Sequence, residues 1–529
     1  MPKLQLVFLP APGKGHLVST IEFAKLLINH DHRLHIALLI IPSPIDADLH
    51  SYIHSLSSSP SFPKRLQLTI LPSNYPTKPL TLCDFLETLV ENQKPHVRRA
   101  VSSLASAPGS PRLAGFIVDM FCTSMIDVAD EFGVPSMVFY TSGAAYLGFA
   151  LHFHALRERN DVVDTTAFNF KDSGVEFSIP SYVNPVPAKV LPLVVLEKEW
   201  ESYFARIYAG GMKRAKGIIV NTFEELEPHA VHSFSSGEIP VYPVGPILSL
   251  KDDPTENPVE KESDVIKWLD DQPPLSVIFL CFGSRGYFDQ DNQVGEIARA
   301  LESSGVRFLW SLRKPPPKGS MEAPSDYSDL EEVLSKGFLE RTAEIGRVIG
   351  WAPQAQILAH RAIGGFVSHC GWNSILESVY FGVPIATWPF GAEQQMNAFQ
   401  LVRELGMAVE ISLDYRVKFE NGSKTEILSA GRIEKGIKEV MAKESEIRKK
   451  VKDMSEKSRK ALLQDGSSYA YLGAERMEKG IRDVMKEDKE MRKMVKEMSE
   501  ICKKALMEGG SSYYHVGRLI DDPIEMKFK

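Results

Sequence analysis

Residues 351–394 read WAPQAQILAHRAIGGFVSHCGWNSILESVYFGVPIATWPFGAEQ. Near the centre, Gly365–Val367 has the apolar character of a buried strand. Ser368-His369-Cys370-Gly371-Trp372-Asn373-Ser374 is too polar and too glycine-broken to extend it. From about Asn373 to Tyr380 the apolar spacing becomes helical. A strand that turns tightly into a helix gathers free backbone N–H groups and a positive dipole end at one point, which holds phosphate without a metal. Asn373 and Ser374 add side-chain donors there, and His369 can donate to a diphosphate oxygen. Glu377, one turn into the helix, can accept from ribose hydroxyls, and Trp351 offers a flat face for a base. Each has a plainer reading alone: Trp351 as core, Glu377 as a solvated helix residue, Ser374 as an N-cap. Their order within 44 residues favours the joint reading.

Outward from this stretch the chain alternates strands and helices. Lys3–Leu9 is an apolar strand stopped by Pro10 and Pro12, and Leu17–Ile28 follows with helical spacing. Leu34–Ile41, Ala114–Val118 and Ser136–Tyr140 continue the series. The pattern restarts with Ser276–Phe282, the glycine turn Gly283–Gly286, and the strands Val306–Trp310, Arg347–Ile349 and Ile385–Thr387. Such alternation predicts an α/β fold of two doubly wound domains facing a cleft, where parallel sheets bind ligands. Leu248–Pro274, polar and proline-dotted, is expected to be an exposed linker.

The chain has 529 residues, enough for at least two domains at roughly 100–200 residues each. A hydrophobic fraction of 43% supports large cores, and a net charge of −7 excludes a basic nucleic-acid surface. Five scattered cysteines, none in a CxxC pair, point to a reducing compartment rather than a disulfide or zinc framework. No signal peptide or stretch of roughly 18 apolar residues is present, so a soluble, cytoplasmic protein with no membrane span is expected. No carboxylate or His/Cys cluster has metal-ligand spacing, and neither a metal nor a cofactor is expected.

Near the carboxyl end the sequence repeats itself. Arg432–Gly473 laid on Arg476–Gly517, at an offset of 44, matches at 23 of 42 positions. Each copy reads as two amphipathic helices, apolar at Ile433, Ile437, Val440, Val451, Met454 and Ala461 in the first. Two copies fall short of a solenoid. A tandem duplication of one helical segment is expected, with Arg432–Leu463 completing the second domain. The second copy would then protrude with an apolar stripe, giving a monomer able to self-associate.

Two further residues sit where chemistry is expected. His16 ends the turn Pro12–His16 and Asp119 closes the strand Ala114–Val118, both at the carboxyl edge of the first sheet. A carboxylate there can orient an imidazole and stabilise its protonated form. Alone, a histidine in such a turn is as readily structural.

Residues 351–394 closely resemble the signature box of the plant family-1 uridine-diphosphate-sugar-dependent glycosyltransferases: WAPQ at the start, HCGWNS at the centre, ES-V-x-x-GVP beyond it and EQ at the end. The resemblance extends over nearly the whole chain and implies a GT-B fold. It implies an acceptor domain at 1–247 and a UDP-sugar domain at 275–473, on either side of the expected linker at 248–274; the second copy of the helical segment with the tail, 474–529, is a departure from the family, in which one copy ends the chain. It also implies that Trp351 stacks on uracil, Ala352 and Gln354 hold base and ribose, His369, Asn373 and Ser374 meet the diphosphate, and Glu377 takes the ribose. Glu393 and Gln394 resemble the pair that binds sugar hydroxyls. Thr141 and Ser284 resemble further donor contacts. Gln394 and Trp372 fit the pattern of glucose donors. His16 and Asp119 resemble the family's catalytic dyad.

The implied reaction is inverting transfer of glucose from UDP-glucose, its co-substrate, to a small hydrophobic acceptor, a flavonoid or other phenol. Phenols, with pKa near 10, are easier to deprotonate than alkyl alcohols. Phe121, Tyr146, Phe149 and the Pro180–Leu196 region are candidate acceptor contacts. A nicotinamide oxidoreductase is disfavoured, because PGKGH is not GxGxxG. An inactive UDP-sugar-binding relative, its cleft blocked by the extra copy, is the alternative. The turn GSRGYF departs from the family's GSxGS at Tyr287, and Arg285 places a long cation nearby.

Overall fold

A computed structural model gives the structure of the protein and describes residues 3–43, 49–60, 62–76, 81–159, 164–167, 169–237, 239–250, 259–288, 291–317, 322–417 and 426–472. These all belong to one compact unit, Met1–Arg476. The second copy of the repeat, the sequon at Asn421 and Cys502 lie outside the described residues.

The first sheet is built from β1 (Leu4–Leu9), β2 (Leu34–Ile40), β3 (Leu66–Ile70), β4 (Arg112–Asp119), β5 (Ser136–Tyr140), β6 (Ile218–Val220) and β7 (Val241–Pro243). Their order is β3-β2-β1-β4-β5-β6-β7, all parallel. The second contains β8 (Val277–Cys281), β9 (Arg307–Ser311), β10 (Gly346–Ile349), β11 (Ile363–Ser368), β12 (Ile385–Thr387) and β13 (Ala408–Glu410). These run β10-β9-β8-β11-β12-β13, again parallel. Both sheets are buried on two faces, which is why their strands read as continuous apolar runs. In β8, Val277 and Phe279 join one core while Ile278 and Leu280 join another on the opposite face. This is the two-domain α/β architecture expected from the strand–helix alternation.

Four strands of these two sheets escaped the sequence reading. β6, β7 and β13 have three residues each, too few for a period, and β3 interrupts its apolar residues with Gln67 and Thr69. The linker expectation needs correction. Residues 248–274 contain a helix, Val259–Asp270, with Val265 and Leu269 buried in the core. Its mean polarity hid an apolar stripe.

Three helices tie the end of the described chain to both sheets. Ala430–Val440 buries Ile433, Ile437 and Val440, and packs so closely at Gly436 that a Cβ there would meet Ile411 at 2.3 Å. Glu446–Ala461 buries Val451 and Ala461, and its Ser455 hydroxyl donates to Tyr380 O at 2.7 Å. Ser467–Leu472 then reaches the first sheet: Ser467 donates to Glu225 at 2.8 Å, Ser468 to Gly245 O, and Tyr469 packs edge-on against His30. His30 is therefore a packing residue. The first copy of the repeat occupies this seat. Ile437→Ala is expected to cost about 2–5 kcal/mol, whereas removing residues 474–517 should leave the melting temperature nearly unchanged. Thermal denaturation of both proteins checks the pair.

Candidate active site

Each sheet reverses its winding between two strands, and the candidate residues cluster at those two points. In the first, β1 pairs β4 with Leu9 opposite Val118, so the turn after β1 meets the end of β4. His16, in the first turn of α1 (Lys14–His30), therefore faces Asp119. Its Nδ1 lies 2.8 Å from Asp119 Oδ2, while Asp119 Oδ1 accepts from Phe121 N at 3.0 Å. Asp119 is fully buried and His16 partly exposed. The carboxylate accepts from Nδ1–H, leaving Nε2 as the proton-accepting nitrogen. Thr141, just beyond β5, places Oγ1 3.1 Å from the same Nδ1 as a second acceptor. Burial opposes charging the imidazole, but the charge and hydrogen bond of Asp119, with the charge of Glu393, outweigh it and raise its pKa above the usual 6.5.

The second sheet repeats the geometry. β8 pairs β11 with Cys281 opposite Ser368, bringing the Gly283–Gly286 turn beside His369. The His369 ring is wedged between glycines: a Cβ on Gly283 would meet its Nε2 at 2.7 Å, and one on Gly371 at 2.5 Å. Cys370 adopts a left-handed φ of 64°, and its carbonyl accepts from Asn397 at 3.0 Å. This turn launches the helix Trp372–Phe381 with its amino terminus at the cleft. Burial without a carboxylate partner lowers His369 to about 4, so it is neutral at pH 7. Ser284 and Arg285 lie exposed on the neighbouring turn.

Gln354 joins two of the other candidates. Its amide donates to Ser374 Oγ at 2.9 Å and to Glu377 Oε2 at 2.7 Å. Burial raises Glu377 to about 7, against the opposing pull of the Gln354 hydrogen bond. Ala352 is buried, whereas Trp351 is 40% exposed, so it is no core residue. Its backbone N–H donates to Asp326 Oδ1 at 3.0 Å, and the Arg313 guanidinium lies 5.3 Å from its ring. Asn373 Oδ1 accepts from Ser19 of α1 at 3.4 Å, across the cleft.

Gln394 turns its Oε1 inward, accepting from Phe390 N at 2.8 Å and Gly391 N at 3.0 Å. It thereby fixes the loop that presents Glu393, leaving only its amide N–H groups for a ligand. Glu393 is raised by burial, and its charge interacts with that of His16. Trp372 is buried: its indole N–H donates to Asn221 O at 2.7 Å, and its ring packs where a Cβ on Gly143 would stand. It joins the two halves of the cleft rather than lining an open surface.

Next to His16 and Glu393 opens a cavity of about 890 Å³, walled mainly by aromatic and aliphatic side chains, among them Phe121, Tyr146, Trp200 and Tyr208. Leu193, Val194 and Leu196 of the expected loop also line it, whereas Phe149 lies fully buried behind. Arg416, Glu227 and Asp326 had no motif to announce them. Among the described residues no group of three or more His, Cys, Asp or Glu is placed to hold a metal ion, and no helix is long and apolar enough to cross a membrane.

Residues 263–465 match the family model for UDP-glucoronosyl and UDP-glucosyl transferases. A Fragaria ananassa protein named UDP-glucose flavonoid 3-O-glucosyltransferase 6 is 55% identical over 470 residues, 87% of this chain and 95% of that protein. The chain belongs to the plant family-1 UDP-glycosyltransferases. Anthocyanidin 3-O-glucosyltransferase 1 of Manihot esculenta is 51% identical, over 85% of this chain and 96% of its own. A Medicago truncatula glycosyltransferase solved with UDP-glucose superposes with a TM-score of 0.79 at 40% identity, over 91% of this chain and 98% of that one. A Siraitia grosvenorii transferase in complex with UDP gives a TM-score of 0.78 at 44% identity, over 91% and 100%. The glycosyltransferase fold is thus the GT-B fold, with its cleft between the two sheets.

Glu377 makes this glycosyltransferase's stability depend on pH. Its carboxyl is raised from 4.5 to about 7, so the unfolded chain releases that proton first, and stability falls as pH rises through this window. Glu377→Gln removes the charge and keeps an acceptor for Gln354. It should be more stable than the parent by about 3 kcal/mol at pH 8, with no difference below about pH 4.5; denaturant melts at the two pH values check this.

Proposed function

We propose that this glycosyltransferase transfers glucose from UDP-glucose to a hydroxyl of a flavonoid or related phenol, with inversion. The observation that carries the proposal is His16 itself, bonded through Nδ1 to buried Asp119 and standing at the mouth of a large aromatic cavity beside Glu393. The aromatic walls suit a flat apolar acceptor. In this reading, residues 1–247 hold the acceptor and 275–473 the donor. Trp351 stacks on uracil, with Ala352, Gln354 and Glu377 around base and ribose. His369, Asn373, Ser374 and Ser284 meet the diphosphate, and Thr141, Glu393 and the Gln394 amide meet the sugar. No metal or other cofactor takes part, and the protein works as a cytoplasmic monomer.

Neutral His16 accepts the acceptor's hydroxyl proton on Nε2 as the oxygen bonds to the anomeric carbon. The bond from that carbon to the diphosphate oxygen breaks on the opposite face, and UDP departs with the electron pair. The α-linked donor thus yields a β-glucoside. Asp119 stabilises the imidazolium that forms, and the helix amino terminus at Trp372–Ser374 meets the charge on the leaving group. The printed names of the strawberry and cassava relatives, a flavonoid and an anthocyanidin 3-O-glucosyltransferase, support the acceptor class.

His16→Ala should lower acceptor-dependent UDP release from UDP-glucose by roughly 10²–10⁴-fold while leaving UDP affinity nearly intact. In the parent enzyme kcat/KM should rise with pH through a value above 6.5, because only the neutral imidazole accepts the proton. Release assays with a phenolic panel, paired with calorimetric UDP titration, test both. UDP binding without turnover on any acceptor would favour the inactive relative.

A further inference from the structure

Lys14, the first residue of α1, stands two positions before His16. Its ammonium lies 5.3 Å from the ring centre of Tyr52 in the first half and 5.5 Å from that of Trp351 in the second. The two cations at Trp351 differ in kind. Arg313 is held in place, donating to the carbonyls of Pro324 and Ser325 and pairing with Asp326, which also accepts from Trp351 N. It is part of the platform's scaffold. Lys14 comes across the cleft from the other half, its ammonium set between the Tyr52 and Trp351 rings.

The opening of α1 spans the nucleotide-sugar site from end to end. Lys14 stands over the indole, His16 interacts with Asp119, Thr141 and the charge of Glu393, and Ser19 donates to Asn373 at the amino terminus of the helix Trp372–Phe381. Lys14 thus stands at the base-platform end of this opening, and Ser19 at the helix end proposed to meet phosphate. UDP brings two or more negative charges into this space. His369 is neutral there, and Glu377 and Glu393 are acids, so the positive charge comes from the helix end, about half a charge, and from Arg285 on the exposed neighbouring turn. A whole ammonium adds more than the helix does.

We propose that Lys14 is a donor-binding residue contributed by the acceptor half: it grips the Trp351 platform and meets the diphosphate when UDP or UDP-glucose is bound. The inference rests on the donor-site reading above and extends it to the first domain.

Calorimetric titration of the full chain with UDP and with uridine tests the assignment, using the parent protein, Lys14→Met and Lys14→Arg. Lys14→Met keeps the aliphatic stem and removes the charge. It should weaken UDP roughly tenfold at 50 mM salt and by much less at 500 mM, with uridine little changed. Lys14→Arg should restore most of the affinity for UDP. UDP affinity in Lys14→Met equal to or tighter than in the parent, or an equal loss for UDP and uridine, would overturn the inference while the donor-site reading stands. Failure of the parent protein to bind UDP at all would overturn both. Matching melting temperatures for the three proteins exclude misfolding as the cause.

Discussion

Two sheets that each end in an incomplete site have to be held face to face, and a few polar contacts, foremost the buried ones at Trp372 and Glu227, do this. The indole N–H of Trp372 donates to Asn221 O, and the Glu227 carboxylate accepts from Ala144 N, Ala145 N and the amide of Gln400. Glu404 accepts from Val183 N and Asn184 N, and Arg416 donates to the carbonyls of Lys189 and Leu191. A buried donor or acceptor that loses its partner costs about 1–3 kcal/mol, so these contacts set the spacing of the cleft as well as contributing stability. Glu227 also sits at the amino terminus of Ala144–Glu158, where the helix dipole favours a carboxylate. His16 from one half can meet Glu393 from the other only because that spacing is kept.

Within the cleft, two histidines on opposite strands of the two winding reversals, His16 after β1 and His369 after β11, are driven apart in character. His16 and His369 both follow a strand beside the winding reversal. His16 has a buried carboxylate on Nδ1 and is raised; His369 has glycines on either side, no carboxylate partner and an Nδ1 with no hydrogen-bond partner among the described residues, and is lowered to about 4. The first can take up a proton near neutral pH, while the second stays neutral. The difference in their titration lies in burial with a neighbouring carboxylate against burial without one.

The repeat near the carboxyl end shows where sequence reading runs out. Its two copies are alike at 23 of 42 positions, and their amphipathic spacing is plain in both. The first copy follows β13 directly, and its helices pack on the second sheet before Ser467–Leu472 crosses to the first. The expectation that Arg432–Leu463 completes the second domain followed from chain order. The crossing depends on hydroxyls meeting a carboxylate and a carbonyl more than 200 residues away, which no local pattern announces.

By itself, the sequence determined the elements whose signal is local: long apolar strands, the turn-to-helix at Ser368–Ser374, and His16 and Asp119 at strand ends. It also set out the donor residues in order, because one strand–turn–helix unit places most of them along 44 residues. Only the tertiary structure decided which of them stand at the cleft and which brace the frame. Trp372 proves to be a tie between the halves, Gln394 a brace for its own loop, and residues 259–270 a packed helix. It also brought Lys14 to Trp351, more than 300 positions away in the chain. Such pairings come from strand order and from how one sheet faces the other, and long-range contact of this kind leaves no period in the sequence.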